Sequence, residues 1–172
     1  MVNTVSIGRL VATFGYKGEL VLHHGLGGKS ELKGVKVLFV DIQRGNPLPY
    51  FLTFSNPKSS DETWVKLEGI DTKEAASKLL QKQVRLSDED FNRLVKPNSV
   101  IALIGYEIVE RNEVIGKVSE IIEQPHQVLC SVMVGEKEVL IPLNEATLEK
   151  IDRKKRQVFV NLPEGLLDIY LQ

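Results

Sequence analysis

What most limits the fold of this chain is its rhythm. Short runs of alternating or β-branched apolar residues recur at Val2–Val11, Glu19–His23, Val35–Asp41, Tyr50–Ser55 and Thr63–Leu67, and Gly, Pro, Asn or Ser bounds each one. Alternation with period two puts successive side chains on opposite faces of a strand. Strands this short, with no helix between them, predict a small barrel. A helix is predicted next, from Thr72 to about Lys82, with Asp71 as its cap and Glu74 reaching back as in a capping box. Ala75, Ala76, Leu79 and Leu80 would form its apolar face and close one end of the barrel.

The polar stretch Ser87–Ser99, with a helix cap signal at Ser87 and Pro97-Asn98-Ser99 near its end, reads as the join between two domains. Beyond it a second strand series runs through Tyr106–Arg111, Val114–Glu123, Val128–Val134, Glu138–Pro142 and Gln157–Val160, ending in Leu162–Tyr170. The halves do not repeat each other, so two different barrels are expected. The predicted architecture is mainly all-β: an N-terminal barrel over residues 1–93, a linker at 94–100, a C-terminal barrel over 101–172, and one or two short helices.

Composition restricts the partners. Lys and Arg number 22 against 23 Asp and Glu, a formal net charge of −1, so the molecule as a whole has no surplus to hold a polyanion. RNA contacts would have to be local or shared with a protein partner. The single Cys130, in the apolar run VLCSVMV, reads as a small buried hydrophobe of a reducing compartment. No run approaches a membrane span and the N-terminus lacks a basic region followed by an apolar one, so a soluble, cytoplasmic protein without membrane contact is expected.

Motifs for chemistry are scarce. HHGLGGKS, His23 to Ser30, ends like a phosphate loop, but His23 stands where the first glycine belongs and Gly34 with a β-branched run follows where a helix should begin. His23 and His24 are adjacent and would face opposite sides of a strand, which with His126 gives no metal set. No nucleophile elbow occurs. The expectation is a non-enzymatic protein without metal, cofactor or small-molecule substrate.

Two segments remain as recognition candidates. Lys150, Arg153, Lys154, Lys155 and Arg156 put five cations within seven residues, suited either to phosphates or to a solvated turn between strands. In Ile7–Leu20, Gly15 and Gly18 bracket Tyr16-Lys17, a tight turn that would present an aromatic and a cation. Tyr16 could equally belong to the barrel core, and Phe14 is expected there.

These residues, in this order and over nearly the whole chain, resemble the RimM family. Gly8-Arg9-Leu10 and Gly15-Tyr16-Lys17-Gly18-Glu19 match its N-terminal signature, and Leu67–Leu80 its strand, turn and Ala-rich helix. Leu103-Ile104-Gly105 resembles the entry to the second domain, Gly116-Lys117-Val118 a later turn, and Val139–Pro142 with Leu162–Asp168 the closing motifs. Three positions depart from the pattern: Phe14 in place of His, Asn98-Ser99 in place of paired aromatics, and Ala102 in place of Asp.

The resemblance implies an N-terminal barrel similar to domain two of translation elongation factors and a C-terminal PRC barrel. It implies a ribosome maturation factor, a chaperone that binds the immature small (30S) ribosomal subunit and assists maturation of its head and processing of 16S rRNA. Implied partners are head ribosomal protein number nineteen and nearby 16S rRNA. The residues expected to face partners are Arg9, Gly15, Tyr16, Lys17 and Gly18 on the first barrel, and Pro142, Asn144, Glu145, Leu166 and Leu167 on the second; Lys17 and Arg153, Lys154, Lys155 and Arg156 are the RNA candidates. A general RNA-binding module and a small-barrel enzyme are the competing readings.

Overall fold

The computed structural model describes residues 3–171, and side chains through residue 169. Val2 and the Tyr170 side chain, both within predicted segments, lie outside that range. The chain divides into two compact units, Met1–Ala102 and Leu103–Gln172.

The first unit is a closed barrel. Strands β1 (Thr4–Phe14), β2 (Glu19–His24), β3 (Val37–Gln43), β4 (Asn46–Pro57), β5 (Glu62–Leu67) and β6 (Gln83–Ser87) close in the order β1-β2-β5-β4-β3-β6. Strand β6 was not predicted: only Val84 and Leu86 point into the core, and Gln83 and Arg85 give its sequence a polar look. It nevertheless closes the barrel by pairing with both β1 and β3. Leu10, Leu20, Leu22, Leu38, Val40, Val65, Leu67, Val84 and Leu86 are all fully buried, the inward halves of the alternating strands.

Phe14 corrects an expectation. It is 52% exposed, because a bulge between Leu10 and Ala12 shifts the register against β2. Leu10 pairs with inward Leu22, but Phe14 now pairs with Glu19 and so points outward.

Helix α1 (Lys73–Ser77) is shorter than predicted and its cap is Thr72, whose hydroxyl accepts from the Ala75 N–H at 3.1 Å. The Asp71 carboxylate instead meets Lys66 Nζ at 2.9 Å. After Ser77 the backbone tightens, and the Gln81 N–H donates to Leu10 O at 2.7 Å, turning the chain into β6. Ala76 and Leu79 still bury the expected face. Helix α2 (Asp88–Leu94) begins at the Ser87 cap, with Phe91 buried. The stretch read as a linker is fastened to this unit: Lys96 N–H donates to Leu26 O at 2.9 Å, and buried Ser99 gives its hydroxyl to Gly25 O.

His24 lies inside the barrel while neighbouring His23 is exposed, the opposite facing predicted for adjacent strand residues. His24 Nδ1 accepts from the Leu26 N–H at 3.2 Å, which requires an unprotonated Nδ1. Burial, reinforced by the nearby His23 and opposed by Asp61, pushes the His24 pKa below its ordinary 6.5. The unfolded chain therefore takes up a proton at His24 more readily than the folded one. The stability held above pH 6.5 should be lost progressively as pH falls below it toward the depressed folded value. Urea midpoints measured from pH 7.5 to 5 check this: a His24→Leu variant should show a flatter profile, and an unchanged slope would remove His24 as its source.

The second unit holds β7 (Glu107–Glu110), β8 (Glu113–Gln124), β9 (Gln127–Val134), β10 (Lys137–Leu143), β11 (Leu148–Asp152) and β12 (Gln157–Val160), then helix α3 (Leu166–Leu171). Their order is β10-β9-β8-β7-β12-β11, antiparallel except for the parallel pair β7 and β12. Val139 and Ile141 on edge strand β10 enter the same core that Leu148 and Ile151 on edge strand β11 pack against, so the sheet must curl around it. Strand β11 was also missed, its charges having been read as part of a turn. Cys130 is fully buried in this core, and burial raises its thiol pKa to about 12.

Candidate functional site

The turn after β1 has a fixed base and a free tip. Gly15 and Gly18 have φ of +67° and +91°, a region in which glycine avoids the strain of a side chain. Gly18 is also buried: a Cβ there would stand 2.1 Å from Ile70 O. Lys66 Nζ holds the facing turn, donating to Ile70 O and, at 3.2 Å, to Leu67 O. Against this base Tyr16 is 85% exposed, which excludes it from the core, and Lys17 is exposed beside it. The Phe14 ring lies 5.7 Å from that of Trp64, extending the aromatic surface along the barrel wall. Trp64 was not singled out from sequence; the signal was its outward register on β5, opposite Val21 and between buried Thr63 and Val65.

Arg9 is exposed farther along β1, between His23 of β2 and Gln83 of β6. It lies five positions before Phe14, roughly 17 Å at the rise of a strand. The turn residues thus come together, with Arg9 at a distance. His23 Nε2 sits 3.2 Å from Asp61 Oδ2, and the hydrogen bond from Ser59 is the main reason the Asp61 pKa is lowered.

In the second unit the predicted residues divide by role. Asn144 Oδ1 accepts from the N–H groups of Ala146 and Thr147 at 2.8 and 3.0 Å, and Thr147 Oγ1 donates to Pro142 O at 2.6 Å. Asn144 and half-buried Pro142 therefore build the turn that exposes Glu145. Leu166 and Leu167 are half-buried against the core, and among the described side chains of α3 Ile169 is the exposed apolar one.

The basic cluster forms the end of β11 and the turn into β12. Asp152 Oδ1 accepts from the N–H groups of Lys155 and Lys154 at 3.0 and 3.1 Å, which keeps its carboxyl below the usual range. Arg156 lies over the Tyr106 ring at 5.3 Å and Lys150 Nζ over Phe159 at 4.5 Å, so both have roles within the unit. Arg153, Lys154 and Lys155 are exposed.

No group of three or more His, Cys, Asp or Glu among the described residues could hold a metal ion, and no helix among them is long and apolar enough to cross a membrane. Fold and surface together define a protein of two curled β modules that presents aromatic and cationic turns. Residues 5–91 match the RimM N-terminal domain and residues 100–166 the RimM PRC barrel domain. A ribosome maturation factor RimM of Flavobacterium psychrophilum is 30% identical over 167 residues, covering 96% of this chain and 95% of the relative. That of Acetivibrio thermocellus is 26% identical over 171 residues, covering 98% of each. A solved structure of a RimM-type 16S ribosomal RNA processing protein from Pseudomonas aeruginosa has 17% identity and a TM-score of 0.45, covering 94% of this chain and 98% of that one; the sequence matches carry the assignment. The chain belongs to the RimM family.

Proposed function

We propose that this protein is a ribosome maturation factor that binds the immature 30S subunit, assists maturation of its head and supports processing of 16S rRNA without catalysing a reaction. The observation that carries this reading is family membership through both modules in order, at 5–91 and 100–166. The surface supports it: a near-neutral protein with an exposed aromatic and cation on an anchored turn suits a composite protein and RNA target better than bulk polyanion binding. In this reading Arg9, Tyr16 and Lys17, with Glu145 of the second unit, face the subunit, where ribosomal protein number nineteen and 16S rRNA are the contacts. Lys17, Arg153, Lys154 and Lys155 meet phosphates, and the protein works in the cytoplasm, where subunits are assembled.

Sedimentation with precursor and mature small subunits tests the proposal, with enrichment on precursors expected. Tyr16→Ala should weaken that binding by more than about 1 kcal/mol. Because Tyr16 is 85% exposed, its loss should leave folding stability within about 0.5 kcal/mol. Equal binding to both subunits would sink the maturation reading, and unchanged binding by Tyr16→Ala would remove Tyr16 from the contact.

A further inference from the structure

On the first barrel a second surface, formed by β4 and the loop before β3, combines aromatics with lysines. The register along β4 places Phe51 opposite Val37 and Leu52 opposite Leu67, then shifts between Leu52 and Phe54 so that Phe54 falls opposite Lys66. Regular alternation would put Phe51 and Phe54 on opposite faces; the bulge at Thr53 turns both outward. They are 60% and 51% exposed. Beside them a groove of about 330 Å³ is lined by Glu31, Lys33, Gly34, Thr53, Phe54 and Ser55 among others.

Hydrogen bonds hold the walls of this groove. Ser55 Oγ donates to Glu31 O at 2.6 Å and Leu52 N–H to Lys36 O at 2.8 Å. Arg93 Nη2 donates to Lys33 O at 2.8 Å, its charge already paired with Asp90 at 2.7 Å. The loop therefore keeps its backbone fixed while Lys29, Lys33 and Lys36 remain exposed, against Glu31 as the exposed acid of the same segment.

We infer that this groove and the surface beside it bind a short stretch of single-stranded RNA, with a base stacked on Phe54, the next on neighbouring Phe51, and phosphates along Lys33 and Lys36. Exposed aromatic faces flanked by cations are the two elements of sequence-tolerant single-strand binding, and every nucleobase has a face to stack. Charge complementarity chooses this occupant. An apolar peptide would cover the rings but leave the lysines without partners, whereas an RNA strand satisfies both. The inference deepens the maturation-factor reading and rests on it for the source of the RNA.

The test uses the full chain and a fluorescein-labelled oligouridylate of about ten nucleotides, read by anisotropy at several salt concentrations. Phe51→Ala/Phe54→Ala should weaken binding about ten-fold or more, with an unchanged melting curve because both rings are exposed. Lys33→Ala/Lys36→Ala should lower the slope of log affinity against log salt by about 1.4, two phosphate contacts on a single strand. No binding by the parent protein, or binding indifferent to both double variants, overturns the inference. If the aromatic variant loses precursor subunits in sedimentation while the parent ignores the oligonucleotide, the face takes a protein; the RNA inference then fails and the maturation reading stands. If the parent binds neither, both fail.

Discussion

Gly8→Ala should cost the first barrel about 3 kcal/mol or more, the high end for forcing extra volume into a packed site. Gly8 pairs with His24 of β2, and a Cβ built there would lie 1.8 Å from His23 O, 2.8 Å from His23 C and 2.9 Å from the His24 Cα. All three are backbone atoms of the paired strand, so no side chain can swing aside. Relief means separating β1 from β2 at the point where β1 also shifts register against β6, between Ser6 and Gly8. Gly15→Ala is the control: unlike Gly8 it has a positive φ, but nothing lies within 4 Å, so only the left-handed backbone penalty of about 1 kcal/mol applies. Urea denaturation of both variants checks the pair, and a Gly8→Ala loss no greater than that of Gly15→Ala would refute the close-approach argument. The glycine of the Gly8-Arg9-Leu10 signature is on this account a packing requirement, whatever Arg9 does on the outer face.

Ile141→Ala should cost the second unit about 2–5 kcal/mol, since Ile141 is fully buried beside Cys130 and Val139. The variant also tests a proposal about the whole chain, that the two units fold independently. Trp64 is the one tryptophan and lies in the first unit, so its fluorescence reports on that unit alone, whereas circular dichroism reports on both. With independent units, Ile141→Ala should produce an early circular dichroism transition and leave the Trp64 midpoint in place, and Gly8→Ala should move the Trp64 midpoint. Equal displacement of both signals by Ile141→Ala would show one cooperative unit and end the proposal.

Much of the fold could be read from period-two alternation, because inward residues such as Leu38 and Val40, or Val65 and Leu67, alternate with partly exposed ones where pairing is regular. The failures occur where pairing is irregular or a strand is short. At Phe14 the bulge after Leu10 inverts the face expected for it, and the shift across Thr53 puts Phe54 on the same face as Phe51; a bulge leaves no mark in a sequence read locally. Strands β6 and β11 offer too few inward residues to announce themselves; β6 pairs with β1 and β3, both distant in sequence, and the charges of β11 merge with those of its turn into β12. Capping was misassigned by one residue because Asp71 and Thr72 both suit the role, and only the position of Lys66 decides between them. At the candidate site, the glycine pair disclosed the turn at Tyr16 and Lys17, but not that Gly18 is pinned against Ile70. The groove between Lys33 and Phe54 was invisible because its two sides are joined only by tertiary hydrogen bonds.

The closing pairs of each unit also set a timetable for synthesis. In the first, β1 finds its second neighbour only when β6, ending at Ser87, has been made; in the second, β7 waits for β12, ending at Val160. Until then the nascent chain carries unpaired strand edges along β1 and β3, and later along β7. Such edges recruit other extended segments, and closure that depends on distant residues is slow. A pause in translation between α1 and β6 would expose the first barrel to mispairing, whereas a pause beyond residue 102 would leave it already complete while the second is being made.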